Sequence, residues 1–309
     1  MANPLTDSQF VRLLDKRLRE VAEARFDELE TKYSMIPKLF RTIPSDSAFD
    51  EFYDIGALPD IPEFTGQLEY LSIAPGFHKK IESKEYAGGV QIQRKLLDDK
   101  KYGVLDSMGE SLAGAAHRVK EKKGSRIFSN AFTSTFDYMT SEEGVSLCST
   151  AHTTKSGTST ASGFSNSGTS ALSKAAVQST SLLMRRFKND ISERIIIEPD
   201  TIIVPDNLSY TAEEIVGTEK GLYTTDGTKN VNYNKYNVIV YPRLDDTDTN
   251  NWWMVDFNLM KKALIYLERI KSEISRTTDF ETFVLKWAIY FRIAFGWLFW
   301  QFLFGHNVS

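Results

Sequence analysis

Cys148 and His152 lie close together in the stretch "SLCSTAHTTKSGTSTASGFSNSGTS" (146–170), amid many serines and threonines. A thiol beside an imidazole is the raw material of nucleophilic catalysis. The base takes the proton, the thiolate attacks, and a third group orients the base. The surroundings argue against that use. No cysteine-protease signature flanks Cys148, and no Gly-x-Ser-x-Gly elbow with a leading apolar strand is present to make a serine nucleophile. Ser, Thr, Gly and Asn make up most of residues 149–170. Such a composition buries too little apolar area to offset its ordering entropy, so the stretch reads as a long mobile loop. A Ser/Cys hydrolase using Cys148 and His152 stays as an alternative, which loss of a measured activity in Cys148→Ala or His152→Ala would revive.

The other chemistry-bearing residues are dispersed. His78, His117 and His306 have no ligand spacing with one another or with the single cysteine. The pairs Asp98–Asp99 and Asp245–Asp246 fall where helices start and turns form, ordinary places for aspartate. There is no Walker loop and no Gly-x-Gly-x-x-Gly. No catalytic residue, cofactor or metal is expected, and a binding or structural protein is the better class.

Composition narrows this further. The 309 residues are 41% hydrophobic and 25% charged, with a formal net charge of -4. That is globular, and it lacks the basic surplus of a protein that grips many phosphates. One cysteine allows no intrachain disulfide and suits a reducing compartment. The first twenty residues lack the apolar run of a signal peptide. The stretch "WAIYFRIAFGWLFWQFLFG" (287–305) is long enough for a membrane segment, but Arg292 sits inside it and its aromatic, β-prone character suits a buried strand pair.

The elements follow from periodicity. Residues 6–33 form an amphipathic helix with Phe10, Leu14, Leu18, Val21, Phe26, Leu29 and Tyr33 on one stripe, opened by a capping box of Thr6 and Gln9. Its stripe needs cover from its own domain or from a neighbour. Prolines 37, 44, 59, 62 and 75 exclude long helices from 36–95. Short strands are expected at 67–74 and 88–97, the first with apolar residues on both faces. The segment is a floppy insertion or an extended arm that packs on another chain, and the two-faced strand favours the arm. A second long helix is expected over 99–132, with glycines 103, 109, 114 and 124 permitting a bend or close approach. Its basic run 118–126 is a solvated helix end or a nucleic-acid contact. A third helix covers about 172–189. Strands at 194–199 and 201–205, a short helix at 211–217, a polar loop at 218–235, and strands at 237–244, 251–257 and 263–275 follow. Two last strands break at Gly296. The sum is an α+β fold.

The segment "EEGVSLCSTAH" (142–152), the Ser/Thr/Gly/Asn loop and "LSKAAV" resemble the major head subunit of Mu-like tailed phages, through Gly144, Leu147, Ser149 and His152. Glu143 replaces the usual aspartate, and Cys148 a common aromatic. "IIIEPDTIIVPDNLSYTAEEIV" (195–216) matches through Pro199, Val204, Pro205, Leu208 and Ala212, and "NVIVYPRLDDTDTNNWWMVDF" (237–257) through Pro242, Leu244 and Trp252. Ser192 and Glu193 stand where a glycine is common.

The resemblance spans about residues 85–300 and implies a capsid fold of the Hong Kong 97 type. It implies an N-terminal arm (1–46), an E-loop (47–92), a peripheral domain with a spine helix (93–139), an axial domain (140–255) and C-terminal strands of the peripheral domain (256–309). The implied function is self-assembly into pentamers and hexamers of an icosahedral shell around double-stranded DNA. The shell would be assembled in the host cytoplasm and carried in the virion, away from any membrane. A portal, and a scaffolding or cement protein, would be partners. Met1 leads directly into the first helix, so no large built-in scaffolding domain is expected. Phe10, Leu14, Leu18, Phe64, Leu68, Leu71, Ile73 and Phe77 are the candidate inter-subunit contacts. Lys79, Lys80 and Lys84 are candidates for a crosslink by location alone. An encapsulin-like compartment shell is the alternative within the same fold.

Overall fold

The computed structural model describes residues 7–93, 95, 102–155, 163–217, 230–279, 281–282 and 284–308, with the first helix's side chains described from Glu20 onward. The expected caps at Thr6 and at Asp98–Asp99, and residues 156–162 and 218–229 of the two loops, lie outside them.

Helix α1 (Asp7–Lys32) leads through a short turn, α2 (Ile36–Leu39), to β1 (Arg41–Pro44). The second long helix, α3, runs Tyr102–Ser129. α1 lies along α3 of its own chain. Ala22 is fully buried, and the Lys120 ammonium sits 4.4 Å from the Phe26 ring centre and 2.9 Å from Glu30. The Glu121 carboxylate takes hydrogen bonds from the Ser34 hydroxyl and the Met35 amide. The basic run is therefore not simply a solvated helix end. Two of its charges are buried fasteners for the first helix, because paired charges with filled hydrogen bonds tolerate burial. Of the glycines in α3, Gly124 fits tightly: a Cβ there would meet Ile36 and Phe295 at 3.4 Å.

The described strands form three sheets. In the four-stranded sheet, β1 runs parallel to β10 (Leu264–Thr278), which forms a long antiparallel hairpin with β11 (Val284–Trp297), edged by β4 (Lys84–Gln93). Alternation decides its faces: Leu285, Trp287, Ile289, Phe291 and Ile293 are buried, whereas Lys286, Tyr290 and Arg292 look outward. Arg292 reaches Glu85 at 3.4 Å.

The five-stranded sheet has the order β6 (Ser167–Gly168), β12 (Leu303–His306), β9 (Trp252–Val255), β7 (Thr201–Val204), β8 (Asn237–Val240). β7 and β9 are buried on both faces, which is why they read as unbroken apolar runs. Helices α4 (Lys174–Met184), α5 (Ser209–Gly217) and α6 (Phe257–Ala263) flank it. The third sheet, β2 (Phe49–Ile55), β3 (Pro75–Glu82) and β5 (Met139–Ser141), carries the projecting loop 56–74.

Several sequence expectations change. Residues 67–74 form no strand. Gly66 takes a positive φ of 105°, Pro59 and Pro62 lack amide donors, and no strand lies alongside, so pairing moves outward to β2 and β3. The second expected strand, 88–97, is centred earlier, at Lys84–Gln93. "RIIIEP" (194–199) makes one bridge, Lys188 to Arg194, and leaves Ile196 88% exposed. The third helix stops at Met184 rather than near 189. The polar loop expected at 218–235 ends in a turn with Asn230 and Asn232 buried. The C-terminal strands break after Trp297, not at Gly296, because Gly296 is needed within β11, where an added Cβ would lie 2.5 Å from Ile81. No helix among the described residues is long and apolar enough to cross a membrane.

Candidate functional site

Local packing first decides the Cys–His question. Cys148 is 2% exposed beneath β12, and burial pushes its thiol well above the ordinary range. His152 is 1% exposed, and both ring nitrogens are engaged. Nδ1 lies 2.9 Å from Glu143 Oε1, and Nε2 lies 3.0 Å from Asn166 Oδ1. The Asn166 amide is oriented by its own bonds. Its Oδ1 accepts from the Ser149 amide, and its Nδ2 donates to the carbonyls of Leu147 and Leu303. The imidazole stacks flat on Trp300, 4.2 Å between centres and 4° between planes. A histidine so engaged has no free nitrogen to take a proton from a buried thiol.

This cluster is a clamp. It joins the turn at 143–153 to residue 166 and to the C-terminal return of the chain. The described flanks of the Ser/Thr stretch are thus built into the body, and His152 and Asn166 are buried structural residues. A second clamp parallels it. His306 stacks on Trp252 at 4.3 Å, its Nδ1 accepts from the Ser170 amide, and its Nε2 meets the Thr180 hydroxyl at 2.8 Å. Burial pulls its pKa down to about 4, in keeping with a neutral ring. Among the described residues no group of three or more His, Cys, Asp or Glu is placed to hold a metal ion.

The larger unsatisfied feature is the projecting loop. Phe64 is 72% exposed, Leu68 66% and Ile73 50%, while Leu71 and Phe77 are half-buried. Four of the eight proposed contact residues thus share one excursion, and Phe77 follows on β3. Phe10, Leu14 and Leu18 fall on α1 where side chains are not described. Sequence reading missed Tyr53, Ile55, Leu58, Ile61 and Tyr70, which are exposed on the same excursion. The density of apolar residues between its prolines was the available signal.

The root of the loop is fastened. The Gly56 amide donates to the Ala74 carbonyl at 2.9 Å, the Ala57 amide to Asp190 at 2.8 Å, and Lys79 Nζ to the Leu298 carbonyl at 2.6 Å. Lys79 is 5% exposed, and burial pulls its pKa down to about 8. Facing inward, it is spent on holding the root. Lys80 packs over the Phe49 ring, and Lys84 is exposed beside Tyr138.

An apolar loop held at its root and bare along its length does no chemistry on a small molecule. Exposed apolar stretches of this kind are characteristic of surfaces that meet other macromolecules. Known proteins agree with that class. The family model described as "Phage capsid protein" matches residues 79–304. No curated protein matches the sequence. Among solved structures, the procapsid of bacteriophage JBD30 is similar over 99% of this chain and 77% of that one, at 16% identity and a TM-score of 0.50. The JBD30 capsid is similar over 71% and 93%, at 15% identity and 0.55. A structure from Microbacterium phage Oxtober96 is similar over 88% and 90%, at 10% identity and 0.55. These likenesses give the fold, which is of the Hong Kong 97 type. The matched family spans most of the sequence, so the chain belongs to the phage capsid protein family and is a structural, shell-forming protein rather than an enzyme.

Proposed function

We propose that copies of this chain join as pentamers and hexamers into a closed icosahedral head around packaged double-stranded DNA, and that neighbours cover the projecting loop. The division into an N-terminal arm (1–46), E-loop (47–92), peripheral domain (93–139 and 256–309) and axial domain (140–255) belongs to this reading. So do assembly in the host cytoplasm and the further partners: a portal, and a scaffolding or cement protein. The order of elements, like that of Mu-like head subunits, supports it.

The observation that carries the proposal is the bare loop. Apolar side chains left in water over residues 55–73 forfeit about 25 cal/mol for each Å² that a neighbour could cover. One patch meeting a different patch on the next copy, with a rotation that closes, builds a ring. Phe64, Leu68, Leu71, Ile73 and Phe77 are the proposed contacts here, with Phe10, Leu14 and Leu18 on the first helix.

The test is a loop excision. Removing all of 47–92 would take away β4 and the core residue Ile81, so the cut belongs between Gly56 and Ala74, whose backbones already meet. The excised chain should keep its melting transition and sediment without shells, while the parent forms particles that contain nucleic acid. A parent chain that remains a compact 35 kDa monomer overturns the proposal.

A further inference from the structure

The chain carries a net charge of -4, yet four of its cations stand together without an acid bound to them. Arg185 and Arg186 follow the last turn of α4, and Lys188 and Arg194 form the bridge of the small hairpin that comes next. Arg185, Arg186 and Arg194 are exposed and Lys188 is half-buried. None of the four side chains has an ion-pair or hydrogen-bond partner among the described residues.

The hairpin forces two of them into the closest register it has. The Asn189 amide donates to the Glu193 carbonyl at 2.9 Å, and the Ile195 amide to the Phe187 carbonyl at 3.0 Å. These bonds flank Lys188 and Arg194, which makes them a non-hydrogen-bonded pair, with Cα atoms about 4.5 Å apart in that register. Like charges directly opposite one another are destabilising. The turn holds them there all the same. Asn189 Oδ1 accepts from the Ile191 and Glu193 amides, and Ser192 takes a positive φ of 68°. The Lys188 stem packs on Gly163, where an added Cβ would lie 2.8 Å from its Cγ.

Local chemistry does not account for the cluster. Cations complement the dipole at a helix C-terminus, which covers Arg185 and Arg186 but not the opposed pair beyond them. Asp190 accepts from the Ala57 amide at the loop root, Glu193 alternates with Arg194 to the other face of the hairpin, and Glu198 lies four residues further on. The cluster therefore suits an anion of several charges. Every exposed residue from Arg185 to Arg194 is polar or charged, which suits a hydrated polyphosphate better than an amphipathic protein segment. Four cations neutralise few phosphates, so the contact is weak, as a duplex that must enter and leave requires.

We propose that Arg185, Arg186, Lys188 and Arg194 form a contact for the phosphate backbone of double-stranded DNA, independent of base sequence. This rests on the shell reading, which supplies the enclosed duplex.

The test titrates a labelled mixed-sequence duplex with the full-length chain, below the concentration at which particles form, and reads fluorescence anisotropy. The logarithm of the binding constant should fall against the logarithm of salt with a slope of about −3 to −4, since each neutralised phosphate contributes about −0.9. Lys188→Gln with Arg194→Gln should halve that slope and weaken binding about tenfold or more at low salt. It should melt no lower than the parent, because it relieves a like-charge contact. Lys188→Arg with Arg194→Lys keeps the charges and should keep the slope. Lys38→Gln with Arg41→Gln removes the same charge from exposed positions elsewhere and should leave the slope as it is. Sedimentation follows particle formation in parallel. If the parent forms particles but leaves the duplex free, or the glutamine pair at 188 and 194 binds with the parent's slope, the contact is overturned and the shell reading stands. The contact also falls if that pair binds the duplex normally but no longer forms particles, the result expected of an acidic protein segment in the duplex's place. A parent that never forms particles overturns the shell reading and removes the enclosed duplex with it.

Discussion

The projecting loop and the five-stranded sheet are both rich in large apolar residues, and they differ in whether the chain itself covers them. Trp252 and Trp253 on β9 are at most 1% exposed, whereas Ile61, Phe64 and Tyr70 on the loop are 84%, 72% and 92% exposed. The sheet completes its burial with its own helices and the C-terminal return. The loop is pinned at its root and has nothing over it. On the proposed reading, burial is divided between the subunit and the assembly, and the contrast marks where that division falls.

The sharpest way to break the contrast is to empty the sheet's core. Trp253 packs against Phe128 and Phe132, with ring centres at 5.7 and 6.2 Å. Trp253→Ala should cost about 3–5 kcal/mol in urea denaturation of the soluble subunit. Gly305→Ala tests the same core by overfilling, since its Cβ would lie 2.6 Å from Cys148 Sγ and 2.9 Å from Trp253. A loss of about 1–3 kcal/mol is expected.

The clamps come next. His152→Ala should cost about 1–3 kcal/mol, because Glu143 and Asn166 lose their shared partner. Cys148 should react with a thiol reagent at the rate of unfolding rather than at a native rate. His306 gives a pH signature. Its folded pKa, pulled down to about 4, lies below the ordinary histidine value, so the unfolded chain binds more protons between those values. Stability should be full above about pH 6.5 and decline as pH falls towards 4, and a His306→Gln variant should flatten that slope in pH-dependent thermal melts. The smallest effect on stability belongs to the loop. Phe64→Ala should move the subunit's melting free energy by less than about 0.5 kcal/mol, yet impair particle formation in sedimentation. If Phe64→Ala instead destabilises the isolated subunit as Trp253→Ala does, the contrast collapses.

Much of the fold was legible in the sequence because its signals are local. The 3.6-residue stripe of the first two long helices and the β-branched or aromatic runs expected as strands at 201–205, 237–244 and 251–257 mark elements that the structure contains, the last two shortened to Asn237–Val240 and Trp252–Val255. The errors fall where a partner decides. Residues 67–74 alternate like a strand but have nothing to pair with, and Ile196 belongs to an apolar run that the sheet does not use. The loop's apolar residues on both faces of 67–74 were legible. At the described flanks of the Ser/Thr-rich stretch composition misleads, because it counts side chains, whereas Asn166 and His152 owe their burial to Trp300 and Leu303, more than 130 residues away.

By itself, then, the sequence determined the helices, the apolar strands, the absence of a catalytic signature and the existence of an apolar excursion that one chain would struggle to bury, since these depend on spacing and composition within a short window. Tertiary structure alone decided that the Cys148 thiol is sealed, that His152 is a clamp and that Lys79 faces inward. Each of these depends on contacts between distant segments, and such contacts exist once the chain has closed on itself.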